Sequence, residues 1–125
     1  MNGQRRQFYR HSTPLVVQWD AAEAEGPLAR TATTLDISGS GLSMYGSDGS
    51  PPGIGQWLVI RLALSDSPPM LIVGEVLREV PAPEGSWAVA VKFRAIDEQE
   101  RDEIASFVSR GQSREIRRRR MKSLE

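Results

Sequence analysis

The sequence predicts an all-β chain folded as a six-stranded antiparallel β-barrel with a C-terminal α-helix. Three observations carry this expectation. Eleven Gly and eight Pro divide the middle of the chain into short apolar runs, the punctuation of strands joined by tight connections. Several of those runs alternate apolar and polar residues with a period of two, and the period becomes helical only after Phe93. Five or six strands of this length cannot tile a flat sheet and still bury one face, so closing the sheet on itself is the economical solution.

The first strand is predicted at Leu15–Trp19 (LVVQW), rich in β-formers, and the acidic, small-residue stretch Asp20–Pro27 reads as its hairpin connection. Arg30–Ile37 resumes as a strand. Ser38–Gly41 is a turn, Leu42–Tyr45 a short strand, and Gly46–Gly55 (GSDGSPPGIG) a loop. Trp57–Leu64 puts Leu58, Ile60, Leu62 and Leu64 on one face. Met70–Val80 alternates less cleanly, and Trp87–Phe93 sets Ala88, Ala90 and Lys92 opposite Val89, Val91 and Phe93. SDSPP and PAPEGS connect these strands as hairpin loops.

The helix starts after Asp97, a good N-cap, with Glu100 three residues on as in a capping box and Ile96 placed as a hydrophobic staple. Ile104, Phe107 and Val108 form a narrow apolar stripe suited to lying across a barrel end, and Gly111 is expected to stop the helix at its C′ position. The chain is thus divided into an N-terminal arm over residues 1–12, barrel and helix over 13–111, and a basic tail or partner-dependent helix over 112–125.

At 125 residues the chain is one domain, and 39% hydrophobic residues supply a small core with generous loops. Without Cys there is no disulfide framework, thiolate metal site or Cys nucleophile. No apolar run approaches the ~18 residues of a membrane span, and the polar, basic N-terminus has no apolar h-region after it; a soluble, cytoplasmic protein is expected. Enzyme templates are missing too: no Walker A pattern, dinucleotide glycine fingerprint, HExxH or nucleophile elbow. His11 is the single His and reads as a semi-exposed polar residue near the first strand. No catalytic residue, metal site or cofactor is expected, and the chain is not read as an enzyme.

The 16 basic and 16 acidic residues cancel overall, yet the basic ones bunch at the two ends: Arg5, Arg6 and Arg10, then Arg110, Arg114, Arg117–Arg120 and Lys122. Zero net charge hides two local anion attractors. In the first, Arg5-Arg6-Gln7-Phe8-Tyr9-Arg10, three guanidinium groups accompany two aromatics. Guanidinium pairs bidentately with phosphate and with a guanine edge, and stacks on flat rings. The cluster is either a solubilising arm or an arm that closes on a phosphate or nucleotide. A second constellation, Asp36-Ile37-Ser38-Gly39-Ser40-Gly41, ends a strand in a carboxylate, hydroxyls and two glycines. It is either a plain turn or a place where a ligand approaches open backbone at Gly39, Ser40 and Gly41 while the carboxylate accepts the paired N–H groups of a guanine.

Taken together, Arg6-x-x-x-Arg10 and, after 25 intervening residues, Asp36-x-Ser38-x-x-Gly41 resemble the two-part signature of PilZ domains, receptors for the bacterial second messenger cyclic di-GMP (c-di-GMP). The strand ending Val89-Ala90-Val91-Lys92-Phe93 and the acidic-capped helix after it also resemble the end of a PilZ barrel, with Ala90 where a glycine is common. The resemblance implies that Arg6 and Arg10 grip the ligand's phosphates and guanine faces, that Asp36 and Ser38 hydrogen-bond a guanine edge, and that Gly41 keeps the turn tight where the base packs. Arg5 stands where an added Arg accompanies a stacked ligand dimer, which implies two ligands per chain. Arg78 stands on a strand that presents a guanine-stacking residue in some members; a plain surface arginine is the alternative.

The implied function is a c-di-GMP receptor or adaptor. Its N-terminal arm orders over the barrel when ligand binds and signals to an effector protein in motility, pilus or exopolysaccharide control. A monomer or homodimer is expected. The alternatives are a ligand-independent PilZ-like interaction module, and a nucleic-acid or anionic-surface binder acting through the basic tail. Nucleic acid is not the expected partner, because aromatics are only 6% of the chain and none interleaves with the tail arginines.

Overall fold

A computed structural model of the chain describes the backbone of residues 14–64 and 67–123 and the side chains within those ranges as far as Gly111. Six strands, β1 (Val16–Ala21), β2 (Arg30–Ser38), β3 (Gly41–Gly46), β4 (Trp57–Leu62), β5 (Met70–Glu79) and β6 (Trp87–Ala95), precede one helix, α1 (Glu98–Ser123). The strands form a closed barrel in the order β1-β2-β3-β6-β5-β4. Every neighbouring pair is antiparallel, and β1 seals the ring by pairing with both β2 (Val17 with Ala32) and β4 (Trp19 with Ile60). The predicted six-stranded barrel with a C-terminal helix is the fold observed.

The interior follows from the period-two pattern. Leu58, Ile60, Leu62 and Leu64 are buried together, as are Val89, Val91 and Phe93, and they pack with Trp19, Ile37, Leu42, Met44 and Ile72 in one core. Ala88 and Ala90 face outward yet are also buried. Their methyl groups are short, and each is flanked on β3 by a larger partner, Tyr45 beside Ala88 and Ser43 beside Ala90.

At the end of the barrel where β2 and β6 finish, α1 begins with the predicted capping box. The Glu100 amide donates to Asp97 Oδ1 at 2.7 Å and the Asp97 amide donates to Glu100 Oε1 at 3.3 Å, which satisfies two amides that the first turn leaves without helical acceptors. Ile104 and Val108 are buried against the barrel, while Ile96 and Phe107 pack on it half-buried. The expected stop at Gly111 is overturned: α1 runs through it to Ser123. A mid-helix Gly costs about 1 kcal/mol relative to Ala, but Gln112, Arg114, Glu115, Arg117–Arg120, Met121 and Lys122 that follow are good helix formers, and propagation through them outweighs one poor residue.

The opposite end is closed by aromatic rings. Trp19 and Trp87 meet edge to face with centroids 5.7 Å apart, and the Arg30 guanidinium lies 4.1 Å from the centre of the Trp19 ring. Arg30 also donates to the carbonyls of Asp48 (3.1 Å) and Ser50 (2.6 Å), and Trp87 Nε1 donates to the same Asp48 carbonyl at 3.2 Å. The loop after β3 is thereby drawn over the opening.

Candidate functional site

The Asp36–Gly41 segment is shaped by a bulge. Thr34 pairs with Met44 and Asp36 with Ser43, so Leu35 is an extra residue on β2. Ala32 and Thr34 are buried before the bulge and Ile37 after it. Strict alternation would have carried Asp36 toward the core after Thr34; the one-residue insertion reverses the parity and leaves Asp36 and Ser38 on the outer face. Leu35 is 40% exposed as a result.

Gly39 and Ser40 form the turn between Ser38 and Gly41, which are paired. The Ser38 hydroxyl is buried and fully engaged. It donates to the Gly41 carbonyl at 3.3 Å, accepts the Ser40 amide at 3.3 Å, and lies 3.1 Å from the Ser40 hydroxyl. With its one proton on Gly41, the Ser40 hydroxyl is the donor of that last contact. The Ser40 carbonyl in turn accepts the Phe93 amide at 2.9 Å, tying the turn to β6. Gly41 is required by that neighbour, since a Cβ here would collide with the Val91 carbonyl oxygen.

Register brings distant residues into one line. Asp36 pairs with Ser43, Ser43 with Ala90, and Ala90 with Arg78, a row across the outer face of β2, β3, β6 and β5. Arg78 reaches this face through a second bulge: Val76 pairs with Val91 and Arg78 with Ala90, leaving Leu77 as the extra residue. Three inter-strand steps of about 4.8 Å place the backbones of Asp36 and Arg78 roughly 14 Å apart along the sheet, with the small Ser43 and Ala90 as floor between them. The adjacent row runs Ser38, Gly41, Lys92, Glu75. Glu75 is engaged by Arg94 at 2.8 Å, so its charge does not oppose an anion beside Lys92. On the other flank Leu35, Tyr45, Pro81, Ala82, Pro83 and Ala88 line a shallow apolar groove.

The structure thus brings Asp36, Ser38, Gly39, Ser40, Gly41 and Arg78 onto one side of the barrel. Arg5, Arg6, Arg10 and His11 lie outside the described residues. The chain that follows them joins β2 beside the site: the Leu15 amide donates to Thr34 Oγ1 at 2.8 Å and the Thr34 amide donates to the Leu15 carbonyl at 2.8 Å. Arg10 precedes Leu15 by five residues, a reach of up to about 17 Å. Ser43, Tyr45 and Ala90 are site residues that the sequence did not single out. Their outward positions were readable from strand alternation, but their alignment with Asp36 and Arg78 depends on register.

The PilZ domain model matches residues 4–110 of the chain. This chain belongs to the PilZ family. PilZ domains are typically receptors for c-di-GMP and are generally non-catalytic. Solved structures share the PilZ fold. The Bacillus subtilis inhibitor of motility MotI/DgrA is 22% identical with a TM-score of 0.72; the match covers 89% of this chain but 53% of that one, so this chain spans about half its length. The PilZ domain of YcgR from Escherichia coli, solved with c-di-GMP, is 16% identical with a TM-score of 0.68, covering 95% of this chain and 99% of that domain. The PilZ domain of CeSA from a cellulose-synthesizing bacterium is 18% identical with a TM-score of 0.57, covering 80% of this chain and 94% of that one. No curated protein matches the chain. Among the described residues no helix is long and apolar enough to cross a membrane.

Proposed function

We propose that this PilZ domain is a c-di-GMP receptor whose ligand lies on the outer face of β2, β3, β6 and β5. The observation that carries the reading is the cross-strand row in which two bulges set Asp36 and Arg78 at opposite ends of a floor made by Ser43 and Ala90. A carboxylate accepts the paired N–H groups of a guanine, and a guanidinium stacks on a base or pairs with a phosphate. Arg6 and Arg10 supply the phosphate contacts, each charge-assisted hydrogen bond contributing about 1.5 to 3 kcal/mol where water is excluded. Ser38, buried and saturated within its turn, shapes the site, and Asp36 is the acceptor for the guanine edge. Gly39 and Gly41 carry no side chain that could obstruct the ligand, and the Ser40 hydroxyl is held on Ser38.

Arg5 beside Arg6 gives the arm a third positive fork, which suits a stacked pair of ligands with four phosphates. Binding orders the arm across the face it joins at Leu15, and the covered face is what an effector protein reads, in motility, pilus or exopolysaccharide control. Calorimetric titration of c-di-GMP, with GTP as a specificity control, tests this. Saturable binding lost in Arg6→Ala and in Asp36→Ala, weakened several-fold in Arg78→Ala and with a stoichiometry near two is expected. A folded protein that takes up no c-di-GMP would leave a ligand-independent interaction module instead. An arm equally protected from proteolysis with and without ligand would remove the ordering step.

A further inference from the structure

The last buried side chain that α1 contributes to the core, among the described residues, is Val108. The helix backbone nevertheless continues to Ser123, roughly 22 Å farther at 1.5 Å per residue, and the family match stops at residue 110.

Its sequence has a regular charge pattern once the backbone is known to be helical. Arg114, Arg118 and Lys122 recur every four residues and so follow one side of the helix, with Arg117 three residues from Arg114 beside them. Like charges at that spacing oppose helix formation. Between Arg110 and Lys122 the single acidic residue is Glu115. Positive charges repeating about every 6 Å along an axis suit a repeating anion better than an isolated carboxylate. Ile116 and Met121 are five apart, with Leu124 after them, a stripe too thin to favour insertion into a lipid surface or burial against another protein over the charges around it. The charge is carried by Arg at 114 and 117–120, with one Lys at 122, and the guanidinium fork matches phosphate oxygens bidentately.

We propose that the C-terminal half of α1 binds the phosphate backbone of a double-stranded nucleic acid, with Arg114, Arg117, Arg118 and Lys122 as the neutralising row. The lack of aromatics among these residues disfavours base stacking on single strands and is no obstacle to a duplex, whose backbone is recognised by charge alone. Continuity of the helix through Gly111 is what turns a tail of scattered arginines into an aligned row.

The test is fluorescence anisotropy of the full chain with labelled DNA duplex, RNA duplex and single-stranded RNA of about 20 nucleotides per strand, at several salt concentrations. Four neutralised phosphates predict a slope of log affinity against log salt of about −3.6 on duplex DNA, so affinity falls about 150-fold between roughly 50 and 200 mM salt. Arg118→Gln should lessen that slope by about 1, and the four-site Gln variant should abolish binding while its thermal melt stays that of the parent. Glu115→Gln should tighten binding, a gain that unfolding cannot imitate. The two duplex arms identify whether DNA or RNA is preferred. No duplex binding at low salt, preference for the single strand, unchanged binding by the four-site variant, or capture by phosphatidylserine vesicles or polyglutamate in place of duplexes would overturn the proposal.

Discussion

At one end of the barrel α1 lies across the opening, its Ile104 and Val108 buried in the core and its first turn held by Asp97 and Glu100. At the other end Trp19, Trp87 and the Arg30 guanidinium fill the opening, and the loop after β3 is held to them through the Asp48 and Ser50 carbonyls. The helical lid is built from consecutive residues and adjoins the Ser38–Gly41 turn. The aromatic plug is assembled from three strands and a loop, at the end of the barrel opposite the Ser38–Gly41 turn. Losses of stability without loss of a binding site are therefore expected at the plug, whereas the lid end links stability to the shape of the site.

The largest effect is expected at the plug. Trp87→Ala removes a ring that packs on Trp19 and under Gly46 and should cost about 3 to 5 kcal/mol in urea unfolding. Trp19→Phe should cost much less, because most of the ring volume is kept and the buried Trp19 Nε1 has no hydrogen-bond partner to lose; equal losses for the two would show that the plug depends on the indole itself and not on ring volume. At the lid end, Gly41→Ala forces β3 away from the Val91 carbonyl and should cost about 1 to 3 kcal/mol while weakening c-di-GMP uptake. Gly53→Ala, with open space at its Cβ, is the control and should leave the thermal midpoint within a degree or two of the parent.

Smaller effects sharpen the same contrast. Arg30→Lys keeps the charge but loses the planar stack on Trp19 and the bonds of Nη2 to two carbonyls, for a cost of about 1 kcal/mol, with c-di-GMP affinity unchanged. Asp97→Ala removes the cap, for a similar loss of about 1 kcal/mol, readable as reduced helical circular dichroism. The smallest is a gain: Gly111→Ala should raise helicity and add somewhat less than 1 kcal/mol, and an unchanged helical signal would mean that the helix breaks there after all.

Strand number, the aliphatic face of β4, the capping box and the paired motifs were all legible in the sequence, because each depends on residues within a few positions of one another. Alternation and capping are local physics, and the Arg6, Arg10, Asp36, Ser38 and Gly41 pattern is a local spelling. What only the tertiary structure decided is which of those residues share a surface. The bulges at Leu35 and Leu77 each insert one residue into a period-two pattern, which reverses every outward and inward assignment that follows, and no property of Leu marks either position in advance. Ser43 and Ala90 enter the site, Arg30 joins two tryptophans, and Gly41 meets a β6 carbonyl through register between strands far apart in the chain. Continuation of α1 through Gly111 likewise reflects a balance between one poor helix residue and the run of good ones after it, a comparison that a single punctuating glycine does not reveal.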